Sequence, residues 1–254
     1  MISEGPKAQA RSERQKHLDH FIEKLQALYP GRILVIALYG SMARKQDGPY
    51  SDIELFCIVD VPGMDTTYEW IYGDGKAEIN VYGVEVARKL ARQVITEWSL
   101  EKGQFLNARW ISGNAKLLDE LSELALSATE EEIRTEVQSI TVGELYEWIG
   151  KLRNMTYAGD QSGLPVLACK FTERVALMIG LVYRKTYTTG TRQLEESLQM
   201  PDLPKGYERL CRLVMAGRLT DPIEIRETME EAWKGIIEWE EKKGIAMIVQ
   251  AWPS

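Results

Sequence analysis

Residues 33–54, Ile33-Leu34-Val35-Ile36-Ala37-Leu38-Tyr39-Gly40-Ser41-Met42-Ala43-Arg44-Lys45-Gln46-Asp47-Gly48-Pro49-Tyr50-Ser51-Asp52-Ile53-Glu54, decide the fold of this 254-residue chain. Ile33 to Leu38 are apolar and β-branched-rich, which predicts a buried strand. The strand runs into Gly40-Ser41, where small residues let the backbone approach a phosphate, and a short helix then presents its free N–H groups. Gly48-Pro49-Tyr50-Ser51 reads as a turn that sets a second strand, Asp52 to Val59, beside the first. Asp52 and Glu54 stand at i and i+2, so both carboxylates leave one face of that strand. Two such oxygen donors suit a Mg²⁺ ion shared with a triphosphate. Ser41 offers a hydroxyl and a backbone donor to the phosphates, and Arg44 a fixed guanidinium fork. A Gly-Ser turn or a single S-D-x-E is common by itself; their order and spacing together carry the nucleotide-site reading.

Working outward, residues 8–29 show a helical stripe of Leu18, Phe21, Ile22, Leu25 and Leu28, closed by Pro30-Gly31. Thr67 to Tyr72 and Lys76 to Tyr82 read as a hairpin, with Gly73-Asp74-Gly75 supplying positive-φ positions. Helices are expected at 85–96 and 115–126, with a short strand at 108–111 between them. Beyond residue 130 helical periodicity dominates, predicting helices at 130–157, 165–187, near 194, at 207–215 and at 223–243. Thr129 to Glu132 has the form of a capping box, and Asp221-Pro222 marks a helix start. The division is therefore α+β: an N-terminal mixed-sheet nucleotide-binding domain at 1–127, then a C-terminal helical bundle at 128–254.

Composition narrows the function. The formal net charge is −7, which argues against binding the phosphate backbone of nucleic acid and favours a cationic partner. Cys57, Cys169 and Cys211 are far apart in apolar surroundings, as expected of a reduced, cytoplasmic protein. No apolar run approaches a membrane span or a signal core. The two histidines, His17 and His20, share one amphipathic helix with no third ligand nearby, so histidine-based hydrolysis and a zinc site are disfavoured. A general base here is expected to be a carboxylate or a lysine.

Two acidic features have more than one reading. Glu78 interrupts the strand-like Ala77-Glu78-Ile79-Asn80-Val81; it either faces solvent with Lys76 and Asn80, or joins Asp52 and Glu54 from an adjoining strand. Glu144, Glu147 and Lys151 fall on one helix face, an arrangement that periodicity alone explains as an ordinary i, i+4 surface pair.

The chain resembles the DNA polymerase β-like nucleotidyltransferases in Gly40-Ser41, Arg44 and Ser51-Asp52-Ile53-Glu54, and over nearly its whole length it is similar to the aminoglycoside 4′-O-nucleotidyltransferases. The second likeness rests on Asp47 to Glu54, Glu69-Trp70, Glu144 to Glu147 with Gly150-Lys151, Tyr187-Thr188-Thr189, Asp202-Leu203-Pro204 and Gly206-Tyr207. It implies AMP transfer from ATP to the 4′-hydroxyl of an aminoglycoside, conferring resistance, with Mg²⁺ held by Asp52 and Glu54. It further implies triphosphate binding by Gly40, Ser41, Arg44 and Lys151, with Thr189 near the nucleotide. Glu147 would be the general base, and Glu69, Glu78, Glu144 and Glu147 would line the drug cleft. The same family implies a homodimer in which the helical domain of one subunit completes the other's site. Members carry two adjacent glutamates where this chain has Gly143-Glu144, so the range of drugs accepted is expected to differ.

Overall fold

A computed structural model describes residues 5–245. The described residues form two compact units, one of residues up to 93 with 102–128 and one of residues 94–101 with those from 129 on. The segment 94–101 thus leaves the first unit and returns to it.

In the first unit, strands β1 (Ile33–Leu38), β2 (Ile53–Val59), β3 (Asp65–Tyr72), β4 (Gly75–Gly83) and β5 (Arg109–Gly113) make one mixed sheet ordered β3-β4-β2-β1-β5. Only β2 and β4 run parallel; β1 pairs antiparallel with β2 and β5, and β3 with β4. Strand alternation explains how both faces are covered. On one face Leu18, Phe21 and Leu25 of helix α1 (Arg11–Leu28) pack on Ile36, Leu38, Ile53, Leu55, Cys57, Ile79 and Val81. On the other, Val35, Ala37, Phe56, Ile58 and Tyr82 meet Ala87 and Ala91 of α3 (Val84–Arg92), Phe105, and Leu117 and Leu121 of α6 (Ala115–Leu126). The short helix α2 (Gly40–Ala43) follows β1 directly.

The second unit gathers around α9 (Leu164–Val182), whose Leu167, Ala168, Phe171, Val175, Met178 and Ile179 are buried. A helix apolar on nearly every side needs neighbours all round. It has them in α4 (Trp98–Glu101), α7 (Glu130–Ile140), α8 (Tyr146–Ala158), α10 (Gln193–Ser197), α11 (Tyr207–Met215) and α12 (Pro222–Lys242). The remaining helix α5 (Gly103–Leu106) belongs to the first unit.

Several expected elements differ in their limits. The helix expected at 85–96 stops at Arg92, because Gln93 is extended and the β-branched run Val94-Ile95-Thr96 leads into the second unit. The helix expected at 165–187 ends at Val182, and Arg184 takes a left-handed φ of 48°. Leu28, placed on the α1 stripe, is 58% exposed as the last residue of its helix. In the β3–β4 hairpin only Gly73 has positive φ, as the first residue of a two-residue turn; Gly75 is already in β4. The expected helix 130–157 is broken by a π turn, Thr141–Leu145. The Thr129–Glu132 capping box and the Asp221 cap are present.

Candidate active site

The turn after β1 is built around a glycine that cannot be replaced. Tyr39 continues the ladder, its N–H donating to the Glu54 carbonyl at 3.0 Å, and Gly40 then swings to φ +66°. A Cβ on Gly40 would lie 1.6 Å from Glu54 Oε2. The glycine therefore serves two needs, a left-handed backbone and room for a carboxylate pressed against the turn. The Ser41 backbone N–H is hydrogen-bonded to that carboxylate. Arg44 follows at the C-terminus of α2, its Nε donating to Gln46 Oε1 at 3.4 Å.

The parallel register of β2 and β4 sets Glu54 opposite Glu78, and the antiparallel register of β4 and β3 sets Glu78 opposite Glu69. Three carboxylates thus stand in a row across three strands, on the face that carries Phe56 and Ile58 further along β2. Asp52, two residues before Glu54, joins them on the same side. Like charges directly opposite one another repel, and such a row needs compensation. Part of it comes from Lys76, whose Nζ lies 2.6 Å from Glu69 and 3.9 Å from Asp52. Glu78 is held separately: Tyr39 donates its hydroxyl to Glu78 Oε1 at 2.6 Å, and Asn80 Nδ2 donates to both, at 2.8 Å to Tyr39 and 3.1 Å to Glu78. Thr67 Oγ1 fixes Asn80 in turn, donating to its Oδ1 at 2.6 Å.

Glu54 remains under-compensated. Burial, then the charges of Asp52 and Glu78, push its carboxyl up to about 7, against the opposing pull of the Ser41 N–H and Arg44. A carboxylate so placed gains from any cation that enters beside it. Burial and the Glu78 carboxylate likewise hold the Tyr39 phenol far above its usual range, so it stays a donor. Among the described residues no three His, Cys, Asp or Glu side chains gather as a complete metal cage. Asp52 and Glu54 are two neighbouring carboxylates that could donate to a cation without forming a complete cage by themselves.

Sequence reading placed Gly40, Ser41, Arg44, Asp52, Glu54, Glu69 and Glu78 in the site, and all belong to the first unit. It did not single out Tyr39, Thr67, Lys76 or Asn80. Lys76 and Asn80 flank Glu78 at i±2, which was the one available signal; the Tyr39 contact spans 39 residues and left none.

Glu144, Glu147, Lys151 and Thr189 belong to the second unit. Glu147 Oε1 and Lys151 Nζ pair at 2.6 Å on an exposed face of α8. Glu144 lies in the π turn and pairs with Arg174 Nε at 3.0 Å, while Arg174 Nη1 reaches Glu97 at 2.9 Å. Thr189 Oγ1 is exposed and 2.8 Å from Thr191 Oγ1.

A sheet strand entering a Gly-Ser turn and short helix, opposite paired carboxylates on the next strand, defines a nucleotidyltransferase fold. The crystal structure of a nucleotidyltransferase-like protein from Exiguobacterium sibiricum agrees with that fold at a TM-score of 0.51, with 13% identity, over 90% of this chain and 75% of that one. Residues 115–246 match the family described as the KNTase C-terminal domain. Aminoglycoside nucleotidyltransferases (4′) of Bacillus sp and Staphylococcus aureus are each 35% identical to it over 240 residues, covering 94% of this chain and 95% of theirs. The chain belongs to the aminoglycoside nucleotidyltransferase (4′) family. No helix among the described residues is long and apolar enough to cross a membrane.

Proposed function

We propose that this protein transfers AMP from ATP to the 4′-hydroxyl of an aminoglycoside and releases pyrophosphate. The observation that carries the reading is the packing of the Glu54 carboxylate, with Asp52 beside it, against Gly40 and Ser41. Phosphate donors and cation ligands thereby meet at one point. Asp52 and Glu54 would hold Mg²⁺, a hard cation that takes one or two carboxylates and completes its shell with phosphate oxygens and water. When bound, the ion would neutralise charge on the triphosphate as pyrophosphate departs.

The chain's own groups do the rest. Ser41 donates from its backbone and hydroxyl to phosphate oxygens, and Arg44 and Lys151 balance the remaining charge. Glu147 accepts the proton of the 4′-hydroxyl as its oxygen bonds to the α-phosphorus and the α–β bridging bond breaks. A sugar hydroxyl does not ionise at neutral pH, and a positioned base contributes a factor of about 10² to 10⁴. Glu69, Glu78 and Glu144 receive ammonium groups of the drug, and the net charge of −7 steers a polycation inward. Thr189 lies near the nucleotide. The active form is a homodimer in which Glu147 and Lys151 of one subunit serve Asp52 and Glu54 of the other, as family membership suggests.

Pyrophosphate release measured with ATP, Mg²⁺ and either kanamycin, which has a 4′-hydroxyl, or gentamicin, which lacks it, tests this. Release with kanamycin alone is the expected result. Release with neither would point to a protein or another small molecule as the acceptor.

A further inference from the structure

One buried acid has no part in the chemistry above. Glu240 of α12 is 1% exposed, and Thr141, itself fully buried, donates its hydroxyl to Glu240 Oε1. The other oxygen, Oε2, has no hydrogen-bond partner among the described residues. Burial pushes the carboxyl up to about 7. A half-satisfied acid in a helical core costs stability that an apolar side chain would not. Where such groups persist, selecting one arrangement over its competitors is the best-attested use.

Here the arrangement to be selected is the π turn, which Thr141 opens. Upstream, Ile133, Val137 and Ile140 are buried at helical spacing; downstream, Leu145, Ile149 and Leu152 are. The two sets are one residue out of phase, and one residue of an α-helix is about 100° of rotation. The wide turn absorbs that residue, so both sets face the core together. Without it, relaxation to a regular α-helix would turn Glu147 and Lys151 by a quarter of a circle relative to α7. Glu144 sits inside the turn and would move with it. Gly143, also in the turn, meets nothing that would hold the bulge there, since a Cβ at that position has open space around it.

We propose that Glu240 and Thr141 form a core latch that fixes the π turn, making both positioning residues for Glu144 and Glu147. The functional arm of this proposal rests on the assignment of Glu147 as base; the structural arm does not. π turns recur inside α-helices at functional sites, where a shift of register is put to use.

The experiment compares Thr141→Val, Thr141→Ser, Glu240→Leu and Glu240→Gln in the full chain. Thr141→Val keeps the shape and deletes the hydroxyl, while Thr141→Ser and Glu240→Gln keep a hydrogen bond. Steady-state kinetics with kanamycin should show kcat reduced about tenfold or more in Thr141→Val and Glu240→Leu, from misdirection of the base. KM for ATP should stay within about twofold, and the two conservative variants should retain activity. Amide hydrogen exchange, read on the same proteins, should show faster exchange confined to residues 141–147 in Thr141→Val. Exchange and kcat both unchanged in folded Thr141→Val would overturn the latch. Localised exchange with no transferase activity even in the unmodified protein would uphold the latch and sink the functional reading instead.

Discussion

Arg14 and Asp47 form a buried ion pair, Nη2 to Oδ2 at 2.6 Å, with both side chains almost wholly shielded from solvent. Arg14 also donates through Nη1 to the Gln9 carbonyl at 2.8 Å. Asp47 lies in the loop that joins Arg44 to Asp52, so the pair ties α1 to that loop. Removing one partner leaves a buried charge alone, which typically costs about 3–5 kcal/mol. Asp47→Ala should lower unfolding free energy by that order in urea titration. Arg14→Met with Asp47→Leu should recover a large part of it, and a double variant as unstable as the single one would contradict this account.

Gly40→Ala should remove activity without unfolding the sheet. The new methyl meets Glu54 Oε2 at 1.6 Å and the φ of +66° disfavours any side chain, so the carboxylate must leave the turn. A loss in kcat/KM of about 10² or more is expected from displacing a ligand by an ångström or so. Near-normal kcat/KM in this variant would be incompatible with the site described.

The Glu54 carboxyl gives the site a pH dependence of definite sign. Its folded value of about 7 lies above the ordinary 4.5, so the proton is held more tightly in the folded protein. The stabilisation this provides is complete below about pH 4.5 and is lost as pH rises through 7. A divalent cation must displace the same proton. Mg²⁺ binding by calorimetry should therefore weaken about tenfold per unit below pH 7, release close to one proton there, and level off above it. Added Mg²⁺ should raise the melting temperature above pH 7 more than at pH 5. Affinity independent of pH between 5 and 8 would remove Glu54 from the ligand set.

Gly143→Glu should be tolerated and should strengthen drug binding. A Cβ there meets nothing within 4 Å, and glycine inside a helix costs about 0.5–1 kcal/mol relative to a good helix former. The variant sets a second carboxylate beside Glu144. KM for kanamycin should fall several-fold at low ionic strength and less at high salt, because screening weakens exposed charge pairs. A rise in KM would mean that the added carboxylate does not face the drug.

The sequence was most legible where chemistry and local structure coincide. Gly40-Ser41, Arg44, Asp52 and Glu54 fall within 15 residues, so turn chemistry and alternation were enough to place them on one strand-turn-strand unit. The helix expected at 115–126 has those limits, and the one expected near 207–215 lies there, because apolar periodicity is clear in both. Relationships set by distant partners were hidden. The alignment of Glu54 with Glu78 depends on a parallel pairing reached through β3, and Glu78's own partners, Tyr39 and Asn80, declare themselves only once the strands are adjacent. The π turn was missed for a different reason: a one-residue change of phase still looks like an uninterrupted helix when apolar residues are merely counted. The excursion of residues 94–101 into the second unit left no composition signal at all.

The row Glu54, Glu78, Glu69 has a further consequence. Neighbouring strands lie about 4.8 Å apart, a spacing set by backbone hydrogen bonds and indifferent to side chains. On the proposed reading, Glu78 and Glu69 would therefore meet a polycation at one fixed increment of about 4.8 Å, like graduations on a ruler, next to the cation-holding Glu54. Evolution of such a surface toward a new polyamine cannot slide the graduations. It can only choose which of them are inked, and that makes substitutions at Glu69 and Glu78, and at Lys76 between Glu69 and Asp52, the economical route to altered selectivity.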